Sequence, residues 1–100
     1  MESVYVKSLA HELEKEGLEV KLEVPVPVEY DNTNMGIGFI LDILANNIVI
    51  VKVKSVETLN EVHHKQTMTY LKITNLKLAI LVNFNVTEIT SGIFRKVNRL

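Results

Sequence analysis

"GFILDILANNIVIVKVK", Gly38 to Lys54, decides the fold. Two apolar runs flank Ala45-Asn46-Asn47, and paired asparagines between β-branched runs mark a hairpin turn. Gly36 to Leu44 reads as one strand and Ile48 to Lys54 as the next. Charge enters this pair only at Asp42, Lys52 and Lys54. An aspartate among Phe39, Ile40, Leu41, Ile43 and Leu44 needs a cationic partner, a hydrogen bond or a metal. Residues paired across antiparallel strands share a face. An odd loop such as Ala45-Asn46-Asn47 brings Asp42 and Lys52 to one face. A two-residue Asn46-Asn47 turn sets Asp42 opposite Val51 instead. Pairing a desolvated aspartate with a lysine favours the odd loop.

Upstream, "LEVKLEVPVPVEY", Leu18 to Tyr30, alternates apolar and polar residues as a strand does. Pro25 and Pro27 cannot donate to a ladder, so this strand belongs at an edge or bulge. "YDNTNMG" supplies the turn that follows. Glu2 to Glu16 is predicted to be a helix, with Tyr5, Val6, Leu9, Ala10 and Leu13 at helical spacing and Gly17 as its stop. A helix rarely begins uncapped at an initiator methionine, so a segment ahead of it is expected to be missing or frayed. Glu57 to Thr74 reads as a second helix, with Thr58 as N-cap and Glu61 at capping-box spacing. Leu59, Val62, Gln66, Tyr70 and Ile73 form its stripe. Leu76 to Phe84 is aliphatic enough for a central strand, and Ile93 to Val97 forms a short last one.

A strand–helix–strand crossover implies a parallel pair, and hairpins imply antiparallel ones. The expected fold is therefore α/β, a four- to five-stranded mixed sheet flanked by two helices in the order αβββαβ(β). It makes one domain over residues 1–100, and 47% hydrophobic residues suffice for its core. The formal charge of −1 gives no global field toward nucleic acid or membrane. The chain has no cysteine, which excludes disulfides and thiolate metal sites. No apolar run approaches the length of a membrane span, and the acidic start does not resemble a signal peptide. A cytoplasmic location is the default expectation.

His63 and His64 are adjacent on the second helix and point about 100° apart, so they do not readily share one metal ion. They, like His11, read as surface residues. Arg95, Lys96 and Arg99 form a small basic cluster that can contact phosphate, although a solvated end is the simpler reading. Tyr5 and Tyr70 read as core-edge residues. Taken alone, Asp42 and Lys52 read as a structural ion pair at a strand end.

The element order, with an aspartate on the second strand and Lys54 on the third, resembles the PD-(D/E)XK nuclease superfamily and its restriction-endonuclease-like core. More closely, "ESVYVKSLAHELEKEGLEV", "VPVPVEY", "MGIGFILDILANNIVIVKVKSVETL", "VHHKQTMTYLKITNLKLAILVNFNV" and "GIFRKVN" resemble the small GxxExxY family. Glu2 and Tyr5 match the ExxY half of that signature, and its glycine would fall before Met1. Members of that family usually carry a further helix ahead of this point. The resemblance implies a nuclease site in which two acids hold Mg²⁺, the metal activates a water, and a lysine steadies developing charge. Residue by residue, Asp42 matches the aspartate, Lys54 the motif lysine, Glu2 the helix acid and Gln66 the helix glutamine.

Three positions depart from the pattern. The motif acid falls on Lys52, the arginine before the aspartate falls on Ile40, and the acid after the tyrosine falls on Val6. Exchanging an acid for a lysine swings the local charge by two beside the expected cation, and like charges about 4 Å apart repel by several kcal/mol at intermediate dielectric. The simplest reconciliation has the Lys52 ammonium in the metal's place, paired with Asp42 alone or with both Asp42 and Glu2, with Ile40 and Val6 joining the core. The leading expectation is a catalytically inactive nuclease-like domain that needs no cofactor and serves binding or assembly. The alternatives are an active Mg²⁺-dependent nuclease, with Glu2 and Asp42 as metal ligands and Lys54 assisting, and a small homo-oligomer with no nucleic-acid role. Apolar surface left by a missing helix would favour a homodimer.

Overall fold

The structure, a computed structural model, describes residues 2–99, except the side chains of residues 30 and 37. Its elements run α1 (Glu2–Lys15), β1 (Val20–Tyr30), β2 (Thr33–Ala45), β3 (Val49–Lys54), α2 (Glu61–Thr74), β4 (Leu78–Asn83) and β5 (Ile93–Val97), with a 3-10 turn at Ile89–Gly92. The five strands form one sheet in the order β1-β2-β3-β4-β5. Only β3 and β4 are parallel, and α2 is the crossover that joins them. The mixed sheet with two helices is the architecture expected from the sequence.

Each helix covers one face of the sheet. From α1, Tyr5, Val6, Leu9, Ala10 and Leu13 pack on Ile43, Val51, Val53 and Val82. From α2, Leu71, Met68 and Tyr70 pack on Ile50, Ala79 and Leu41. Ala79 and Leu81 of β4 are fully buried and Val82 nearly so, which is why this strand reads as a continuous apolar run. Two aromatic stacks pin the helices: Tyr5 on Phe84 at 4.7 Å between ring centres, and Tyr70 on Phe39 at 4.3 Å.

α1 ends as its glycine predicts. Gly17 takes φ 91°, Leu18 N–H donates to Leu13 O and Gly17 N–H donates to Glu14 O, the paired bonds of a Schellman cap. α2 starts later than the sequence suggested. Its N-cap is Asn60, not Thr58. Asn60 Oδ1 accepts His63 N–H at 3.3 Å, and His63 Nδ1 accepts Asn60 N–H at 3.1 Å. His63 thus fills the role expected of Glu61, because an unprotonated imidazole nitrogen accepts as well as a carboxylate. Asn75, at φ 60°, closes the helix.

The loop between β2 and β3 is odd, as favoured, but it is shifted by one residue. Ala45 pairs with Val49, leaving Asn46, Asn47 and Ile48 between them. Asn46 and Asn47 take φ 51° and 59°, a conformation asparagine tolerates better than most residues. Asn46 Oδ1 also accepts Glu19 N–H at 2.8 Å, tying the turn to the start of β1.

The β1–β2 hairpin reverses its faces midway. Val20 and Ile43 pack toward α1, whereas Val24, Val26, Phe39 and Leu41 pack toward α2. Residues two apart on a regular strand share a face, so the reversal falls at Glu23 and Asp42. Glu23 takes φ 50°, and this pair is missing from the register between Leu22↔Ile43 and Val24↔Leu41. Pairing of β2 with β3 also stops at Ile43↔Val51. Beyond it the hairpin continues as a two-stranded ribbon with register shifts after Val26 and Pro27, the bulged setting expected for its prolines. Among the described residues, no helix is long and apolar enough to cross a membrane.

Candidate functional site

Asp42 lies where β2 parts from β3, and its carboxylate fills the gap. Oδ2 accepts the backbone N–H of Val53 at 2.8 Å, and Oδ1 meets Lys52 Nζ at 3.4 Å. Lys52 points to the α2 side, like Ile50, and its ammonium also sits 5.7 Å from the centre of the Tyr70 ring. The two side chains retain 16% and 23% of their surface, so the pair is shielded but not dry.

Glu2 approaches the same region from the first turn of α1. Its Oε2 accepts Ser55 N–H at 2.8 Å, just past the end of β3. Glu2 and Asp42 line one cavity of about 190 Å³ between α1 and the reversing hairpin, together with Val6, Lys7 and Glu23. Lys54 is half-buried at the end of β3 and in no ion pair among the described residues. Gln66 is exposed on α2 and its side chain makes no hydrogen bond among the described residues.

The structure therefore sets Lys52 against Asp42 on the α2 side and Glu2 in the cavity that Asp42 also lines, with no ion pair between Lys52 and Glu2 among the described residues, and leaves Gln66 outside. Val6 is half-buried against the α1 core, as expected. Ile40 is not part of the core: it is 52% exposed, because the reversal at Asp42 turns it to the outside of the ribbon. Arg95 and Lys96 leave β5 on opposite faces, Arg95 beside Ile80 and Lys96 beside Ala79. Arg99 lies beyond the strand, its carbonyl 3.5 Å from Lys77 Nζ.

Sequence reasoning missed Asn83. Its side chain is buried at the end of β4 and binds the segment after β3 twice, donating to Val56 O at 2.9 Å and accepting Val56 N–H at 3.1 Å. That clamp fixes the stretch whose Ser55 N–H Glu2 accepts. The only signal was an amide at the end of a run otherwise wholly aliphatic. Glu23 was also missed, since its left-handed backbone has no local sequence signature.

As placed, these donors fit a divalent cation poorly. Both Asp42 oxygens already face donors, one of them the Lys52 ammonium, and one Glu2 oxygen is used by Ser55. Among the described residues, no cluster of three histidine or acidic side chains is arranged to hold a metal.

A mixed sheet between two helices, with an aspartate at the point where two antiparallel strands diverge and a lysine-bearing strand beside it, defines a nuclease-like α/β domain. The family model of the PD-(D/E)XK nuclease superfamily matches residues 1–96. The chain belongs to that superfamily. Neither a curated protein nor a solved structure shows a significant match.

Proposed function

We propose that this chain is a metal-free nuclease-like domain of the GxxExxY type, in which the Lys52 ammonium substitutes for the cation and the site serves binding or assembly rather than hydrolysis. The observation that carries this reading is the 3.4 Å approach of Lys52 Nζ to Asp42 Oδ1. A lysine there supplies one fixed positive charge in place of a hydrated divalent ion. It can steady the carboxylate, but it cannot acidify a water as a metal does. Titration calorimetry with Mg²⁺ and Mn²⁺ tests the reading. The expected result is no saturable binding. Micromolar binding that disappears in Asp42→Ala would overturn it.

The common cavity of Glu2 and Asp42 favours a second reading, a Mg²⁺-dependent nuclease using Glu2, Asp42 and Lys54. It requires Lys52 to swing off Asp42 as the metal enters, and the same titration decides it. A homodimer remains part of the proposal. Ile93 and Val97 project exposed from β5 on the face of the sheet that carries α1, whose packing extends to Val82 of β4. Light scattering at high micromolar concentration reads the outcome, and a monomer there counts against association.

A further inference from the structure

The flank of α2 that faces β5 carries a separate concentration of charge. Thr67 and Leu71 turn to the sheet and are fully buried. Lys65 and Lys72 lie two turns apart, about 10 Å along the axis, on the side toward β5. Lys96 faces them across a groove of about 490 Å³ to which His64, Met68 and Thr69 also contribute. The one carboxylate on the groove is Glu61, 3.8 Å from Lys65, with both side chains largely in water. An exposed pair of this kind neutralises little. Three ammonium groups thus face one carboxylate, in a chain whose formal charge is −1. The positive charge is therefore local.

His64 registers that charge. Burial, then Lys96, then neighbouring His63 hold its imidazole below the usual histidine range. The groove is also distinct from the Asp42 site. Tyr70, over which Lys52 sits, leaves α2 about 160° around the axis from Lys72. No phenylalanine, tyrosine or tryptophan is among the residues lining the groove. It offers charge without a platform on which an unpaired base would stack.

We propose that the α2–β5 groove is a docking surface for the phosphate backbone of a nucleic-acid duplex, held by Lys65, Lys72 and Lys96 without reading sequence. A duplex turns its bases inward and presents regularly spaced phosphates, the counterpart of lysines set along a groove. This reading extends the proposed binding role but does not depend on the metal-free site, which calorimetry tests separately.

The test is fluorescence anisotropy of a labelled duplex of about 20 base pairs with the full chain at low salt, where a contact of this size is measurable. Three lysine–phosphate contacts give a salt slope of about −2.7, an affinity loss of about 40-fold between roughly 50 and 200 mM. Lys72→Gln and Lys96→Gln are each expected to weaken binding several-fold and to flatten the slope by about one, while Lys72→Arg preserves both. Lys72 is exposed and Lys96 half-buried, and circular dichroism checks that each variant folds. Four results would overturn the proposal: no binding at about 50 mM salt, equal affinity for poly-glutamate, tighter binding of the unpaired strand, or a greater loss in Lys52→Met than in the groove variants.

Discussion

Lys52 Nζ stands 3.4 Å from Asp42 Oδ1, ten residues away in sequence and one strand away in space. The carboxylate is also a structural acceptor, because its second oxygen takes the Val53 N–H that no β2 backbone group reaches. Removing Asp42 therefore strands two partners, whereas removing the lysine charge strands one. Asp42→Ala is expected to cost about 2–3 kcal/mol of stability, and Lys52→Met about 1 kcal/mol. In the double variant the loss should fall short of the sum by about 1 kcal/mol, measured by urea denaturation. Strict additivity would mean that the two groups do not interact.

Lys52→Glu restores, beside Asp42, the acid that the superfamily resemblance expects. Without metal, the added like charge should make this variant less stable than the parent. With Mn²⁺ at about 100-fold above its dissociation constant, it should regain about 2.7 kcal/mol, while the parent does not respond. Thermal melts with and without Mn²⁺ read the difference. An unresponsive variant would mean that the scaffold, and not one missing ligand, prevents metal binding.

Asn83 donates to Val56 and accepts from both Val56 and Asn85 while almost wholly buried. Asn83→Ala leaves the Val56 N–H and C=O without partners and is expected to cost about 2–4 kcal/mol. Amide exchange at Val56 and Ser55 should quicken beyond the global change, since the clamp on this segment is lost. Uniform quickening over the whole chain would show that Asn83 contributes only to overall stability.

His64 sits edge-on to Phe94, with its Nδ1 buried and lacking a hydrogen-bond partner among the described residues. Its folded pKa lies below the ordinary 6.5, first because of burial, then because of Lys96 and His63. The unfolded chain therefore takes up this proton at higher pH than the folded one. The His64 contribution to stability is full above about 6.5, falls as pH drops toward the folded pKa, and is flat below it. Urea midpoints between about pH 7.5 and 5.5 should show this fall, and His64→Gln should remove that share of the slope. An unchanged slope in the variant would assign the pH dependence to other groups.

Much of the fold was legible because its signals are local. The apolar spacing of α1, the glycine after it, the alternation of β1 and the bounds of β5 all depend on neighbours a few residues apart. The start of α2 was misjudged for the same reason. Thr58 with Glu61 and Asn60 with His63 have equal spacing, and local chemistry does not separate them. The reversal at Glu23 and Asp42 had no signature, since alternation describes one strand and not the twist of a pair. Ile40, expected in the core, is exposed as a result.

The sequence alone places an aspartate and a lysine on adjacent strands of a superfamily core, the lysine where the resemblance expects an acid. It did so because strand period and turn chemistry are properties of short segments. Which atoms meet Asp42 was decided only by the tertiary structure, through the odd loop at Asn46–Ile48 and the parting of β2 from β3. The separation of Lys96 from Arg95, and its meeting with Lys65 and Lys72, likewise waited on β5 joining the sheet beside β4 with α2 packed above it. Contacts between elements depend on register and twist summed over the whole sheet, which no short stretch of sequence contains.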